Sequence, residues 1–96
     1  MYTPFENAEF TLLVNGNGMS PTFIDADTVF CCNADSVPDG EVAVVALGDM
    51  HTIRRVFRTA DGFMLENDSC TYPPMYLSRD ECRIIGRPIG IHRAIA

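Results

Sequence analysis

The chain contains no lysine; all seven of its basic residues are arginine. Arginine's pKa lies above about 12, so no side chain here supplies a neutral amine base near pH 7. That excludes a Ser–Lys dyad, which needs a lysine held neutral beside a serine. Only the N-terminal amine is left as a titratable amine, and nothing in the sequence places it near a serine. Long apolar runs are missing too: none approaches the roughly 20 residues that a membrane helix needs. The start of the chain has neither a basic region nor an apolar core of the secretory kind, so no export signal is expected. A soluble, cytoplasmic protein with no membrane role is the default. The four cysteines, Cys31, Cys32, Cys70 and Cys82, show no C-x-x-C spacing. They read as small apolar core residues rather than metal or redox ligands. Cys31 and Cys32 are adjacent, so on a strand they face opposite ways.

Positive charge is absent from half of the chain. Residues 1–50 hold eight acids and no base, and residues 51–96 hold seven arginines against five acids, within a net charge of −6. Neither half is a basic stripe, so direct nucleic-acid binding by this chain is not expected. An acidic half facing an arginine-bearing half favours self-association.

What is present is a mostly β pattern. Ninety-six residues make one small domain with a modest core. No segment keeps a 3.6-residue apolar period, and turn signals recur about every ten residues. Residues 1–7 read as an extended lead-in. Strands are expected over 10–14, 28–32, 41–47, 50–57 and 63–66, with a brief extension at 75–77. The last strand is expected over 82–85 and 89–95, with a bulge or bend at Gly86 and Pro88. Residues 41–47 are nearly all apolar and read as the buried strand.

The chain is organised around Val14-Asn15-Gly16-Asn17-Gly18-Met19-Ser20-Pro21. An apolar run leads into a Gly/Asn turn, and Pro21 fixes the backbone after it. Such a turn at a strand end holds groups at a sheet edge. Ser20 reads as a turn-bonding or capping serine, with a nucleophile as the sharper alternative. His51, its conceivable base, reads as a strand-surface histidine, as does His92. Asp49 and His51 share a face, but two ligands do not make a metal site. Asp25 and Asp27 read as turn formers. No metal and no other cofactor is expected.

This turn resembles the G-x-S-M-x-P signature of the LexA/UmuD family of self-cleaving proteins, shared with type I signal peptidases. Gly16, Met19 and Pro21 match, and Gly18 stands at the place of the nucleophilic serine. Ile24-Asp25-Ala26-Asp27-Thr28-Val29 resembles the family's I-x-D-G-D-x-V, and residues 39–45 its D-G-D-I-V-V-V strand. Thr52-Ile53-Arg54-Arg55-Val56 resembles T-V-K-R-L, with Arg54 at the position of the lysine base. Asn67 and Tyr72-Pro73-Pro74 resemble N-x-x-Y-x-P-I, and residues 84–90 the closing strand. The resemblance runs from about residue 8 to the end.

It implies a fold of several coiled antiparallel sheets with a barrel-like part. It also implies a degenerate dyad at Gly18 and Arg54, with Arg54 turned into the former cleft and bonded there to carbonyls near Gly18 or to an acid. Arg55 would lie on the outer side. The resemblance further implies a homodimer through the C-terminal strand, with Ile85, Ile89, Ile91 and Ile95 in the interface. An unpaired apolar strand edge would favour that pairing. The expected role is oligomerisation and regulation, in a repressor or an SOS-type accessory protein with a regulatory protein partner. The rivals are an active self-cleaving hydrolase using Ser20 with His51, and a polymerase-binding module like UmuD. The family's Ala-Gly or Cys-Gly cleavage pair is not found in the seventeen residues before Gly18, and residues 1–96 show no helix-turn-helix.

Overall fold

The computed structural model describes residues 4–94. A short 3-10 turn at Pro4–Asn7 precedes seven strands: β1 (Phe10–Leu13), β2 (Thr28–Asn33), β3 (Val42–Leu47), β4 (Met50–Arg58), β5 (Gly62–Glu66), β6 (Met75–Ser78) and β7 (Arg83–His92). The extended lead-in is thus a turn where it is described. Pro4 opens it with a φ already suited to a helical start. No α-helix occurs among the described residues, and none of them forms a helix long and apolar enough to cross a membrane.

The mostly β, antiparallel expectation holds. The strands join in one sheet of order β1-β2-β7-β3-β4-β5-β6, open at β1 and β6. β3 is buried on both faces because its apolar side chains alternate between two cores. Ala43 and Val45 pack with Val37, Val56, Leu65, Cys82 and Ile84. Val44 packs with Met19, Phe23, Val29, Cys31 and Ile53 on the other side. The second core carries the Gly-rich turn, through Met19 and Phe23.

The last strand keeps the irregularity expected around Gly86 and Pro88. It is continuous from Arg83 to His92. Its irregularity is taken up as register shifts opposite Phe30/Cys31 of β2 and Val44/Val45 of β3. It is also central, lying between β2 and β3. The two pairings scarcely overlap: β3 takes residues 83–86 and β2 takes residues 86–92, so along residues 87–92 the edge away from β2 has no strand partner among the described residues. Ile85 and Ile91 pack against the second core, Ile89 is half-buried, and Ile95 lies outside the described residues.

All four cysteines are free thiols; Cys31 and Cys82 are buried and Cys70 is exposed. The core reading therefore fits Cys31 and Cys82, whereas Cys70 lies in a surface loop. Cys32 faces the opposite way from Cys31 and donates to the Asn7 carbonyl.

Candidate functional site

The site is built where β1 ends. Val14 continues the β1–β2 ladder briefly: its N–H donates to the Asp27 carbonyl and its carbonyl accepts from Ala26, both at 2.9 Å. Gly16 then takes a φ of +87°, a left-handed conformation that glycine reaches without steric cost. Its N–H donates to Asp25 Oδ1 at 2.6 Å, and the Asp25 N–H donates to Asn17 Oδ1 at 3.1 Å. Ala26 sits at φ 72°, where an alanine costs about 1 kcal/mol or more. The flanking aspartates offset that strain. Asp27, fully buried, accepts from the Ile24 N–H at 2.9 Å and takes both prongs of the Arg93 guanidinium at 2.8 Å. That bonding holds the Asp27 carboxyl below the usual carboxylate range, against the opposing effect of burial.

After Gly18 the chain makes one helical turn, with Ser20 N–H to the Asn17 carbonyl at 3.1 Å and Phe23 N–H to the Met19 carbonyl at 2.9 Å. The loop after β5 clamps this turn. Ser69 N–H donates to the Gly18 carbonyl at 3.0 Å, and Asp68 N–H to Met19 Sδ at 3.4 Å. Asp68 also accepts from the Thr22 hydroxyl and from Arg55 Nε and Nη2 at 2.9 and 2.8 Å. The Arg55 bonds hold the Asp68 carboxyl low. Arg55 spends its remaining prong on the Gly40 carbonyl at 2.7 Å.

Between the turn and β4 lies a cavity of about 270 Å³ lined by residues 12–16, 18, 19, 23 and 50–54. Leu12, Val14, Met19, Phe23 and Ile53 give apolar walls, and the exposed Leu13 and Met50 extend them outward. Gly18 and Arg54 both line it, with Thr52 and His51. No aspartate or glutamate does. Arg54 is half-buried. Its Nη1 donates to Thr52 Oγ1 at 2.7 Å and to the Ile53 carbonyl at 2.6 Å. Those partners belong to its own strand, not to the Gly18 turn and not to an acid as expected. The reason is reach: the guanidinium folds back along β4. Burial draws its pKa down, partly opposed by Tyr72. Starting above about 12, it stays charged at neutral pH.

Ser20 is half-buried and does not line the cavity, so the cavity does not join it to His51. Asp49 lies in the β3–β4 turn, and the described residues hold no group of three or more metal-ligating side chains. The Arg55–Asp68–Thr22 network and the Asp27–Arg93 pair were not legible in the sequence. Their partners lie 13, 46 and 66 residues apart. The only local hint was Asp68 next to the Asn67 landmark.

Residues 3–89 match the family model described as Peptidase S24-like. The LexA repressor of Clostridium tetani is 33% identical over 85 residues, covering 88% of this chain and 42% of that protein. The LexA repressor of Leuconostoc citreum is 35% identical over 92 residues, covering 93% of this chain and 42% of that protein. The LexA repressor of Myxococcus xanthus is 31% identical over 90 residues, covering 90% and 40%. The chain thus spans about two fifths of the length of the curated relatives it matches.

Proposed function

The chain belongs to the Peptidase S24-like family, and we propose that it is a member without cutting chemistry, serving oligomerisation and regulation in a LexA-type repressor or an SOS-type accessory protein. One observation carries this reading. The cavity that would hold a dyad is lined by Gly18, with no hydroxyl, and by Arg54, in a chain without lysine. A Ser–Lys mechanism needs an oxygen nucleophile and an amine that releases its proton. A hydrogen side chain and a guanidinium meet neither need. Ser20 lies outside the cavity, which weakens the Ser20–His51 alternative. Incubation of purified protein at mildly alkaline pH, followed by intact mass, tests the reading. An unchanged mass is expected. A clipped product that disappears in Ser20→Ala would overturn it.

The regulatory role is that of a paired domain in the cytoplasm, with protein rather than nucleic acid as its direct partner. The relatives are repressors by name, and the net charge of −6 opposes phosphate binding by this segment. A homodimer through the C-terminal segment is part of the reading. Along residues 87–92 the edge of β7 away from β2 has no strand partner among the described residues, so the contact uses that edge, with the half-buried Ile89, and the segment beyond His92. Sedimentation at tens of micromolar decides it, and a monomer throughout would remove the dimer. A polymerase-binding module like UmuD is the rival partner assignment, and co-purification from the native host would reveal it.

A further inference from the structure

We propose that the Gly18–Arg54 cavity is a receptor for the free carboxylate end of an apolar peptide. Arg54 carries the argument. Arg55, Arg58 and Arg93 each have an aspartate partner. Arg54, like the exposed Arg79, Arg83 and Arg87, has none among the described residues, but of these four it alone is half-buried, and only its Nη1 is engaged, on Thr52 and Ile53. Nε and Nη2 are left as donors. A half-buried guanidinium with two spare N–H edges is the group that takes a carboxylate in a forked, two-bond geometry. Desolvation makes the uncompensated cation costly, and a bound anion relieves that cost.

The surroundings select the ligand. The chain carries −6, yet no acid lines this cavity. An anion is therefore attracted locally and repelled elsewhere, which favours a single carboxylate over an acidic peptide. The walls at Leu12, Met19 and Phe23 are apolar and suit aliphatic side chains. At about 270 Å³ the space falls just below the usual range for small-molecule pockets, so it takes the end of a chain rather than its middle. β1 pairs only with β2. Its free edge beside the cavity offers backbone groups to an extended segment. Thus the carboxylate meets Arg54 and the preceding residues lie along β1. This rests on the non-cutting reading in one respect: the cleft keeps its ligand instead of cleaving it.

Calorimetric titration with acetyl-Leu-Val-Ala bearing a free C-terminal carboxylate, and with its C-terminal amide, tests the proposal. The acid form is expected to bind at least tenfold more tightly. Arg54→Gln is expected to bring the acid down to the level of the amide. The wild-type comparison stands by itself should the variant fold poorly. Equal affinities, no binding of either peptide, or an acid preference that survives in folded Arg54→Gln would each overturn it. The mass of the recovered peptide separates the two readings. A shortened peptide defeats the non-cutting assignment, whereas an intact peptide without acid preference defeats only this one.

Discussion

The side-chain amide nitrogen of Asn67 stands 2.6 Å from where a β-carbon on Gly18 would lie. The loop after β5 thus closes over the turn after β1, and the space that a side chain at residue 18 would occupy is partly taken. The backbone at Gly18 is not in the left-handed region, so the obstacle is the flexible end of Asn67 and not the main chain. The site is therefore open to reconstruction.

Gly18→Ser alone is expected to fold at a cost of ~1 kcal/mol, through rotation of Asn67. It is expected to stay inert toward a fluorophosphonate serine probe, because Arg54 cannot accept a proton. Arg54→Lys alone is expected to be inert for lack of a nucleophile. The double variant supplies both groups in one cavity and is expected to be labelled at the introduced serine. Its rate should rise with pH as the introduced lysine loses its proton. Labelling of the unaltered protein at Ser20 would reverse the assignment.

Asp68 links three separate parts of the chain: β4 through Arg55, the signature turn through Thr22 and Met19, and its own loop. Its carboxylate is largely shielded, at 13% exposure against 32% for the Arg55 side chain. Asp68→Ala is expected to cost about 1–2 kcal/mol, below a fully buried pair because Arg55 regains some water. Urea unfolding measures that loss. Amide exchange at Ser69, bound to the Gly18 carbonyl, should accelerate if the clamp and not the core is what loosens.

How much of this was legible follows from where each signal resides. β2 and β3 are β-branched and apolar runs, so local composition marks them, and β4 is marked by its place after the Gly48-Asp49 turn as the second arm of a hairpin. The absence of lysine is visible in composition alone, and so is its consequence at position 54. The central place of β7 was not legible, because it depends on β3 pairing with its first residues, 83–86, and β2 with the rest, 86–92, each with a shifted register. The partners of Arg54 differ from those expected for a similar reason. Alternation gives the face of a strand residue but not the direction of a long side chain. Ion pairs such as Arg93 with Asp27 join residues 66 apart, and no periodicity encodes them.

The four thiols should separate by accessibility. Burial, with the neighbouring Cys32 adding to it, pushes the Cys31 thiol up to about 11, and burial also raises Cys82. The thiolate is the reactive form. Iodoacetamide at pH 8 is therefore expected to label the exposed Cys70 first and Cys32 more slowly. Cys31 and Cys82 should react only after denaturation. Mass mapping against time checks the order, and early labelling of Cys31 would show that the second core opens readily.

The pair between Asp27 and Arg93 sets a direction in pH. Asp27 is wholly buried, whereas Arg93 is 42% exposed. Removing Arg93 strands a carboxylate that cannot reach water. Replacing Asp27 by asparagine keeps an acceptor for the Ile24 N–H and frees a guanidinium that can reach it. Arg93→Ala is therefore expected to lower the melting temperature more than Asp27→Asn, for which ~1–2 kcal/mol is expected. The folded-state pKa of Asp27 is depressed, chiefly by its hydrogen bonds from Arg93. Its stabilising contribution is complete above the ordinary carboxylate range near pH 4 and disappears as pH falls through the depressed value. Both variants should thus lie furthest below the wild type near neutral pH and converge on it in acid. Melting curves from pH 7 down to pH 2 follow this, and a deficit that widened in acid would mean that the pair is not what holds the C-terminal segment to the turn.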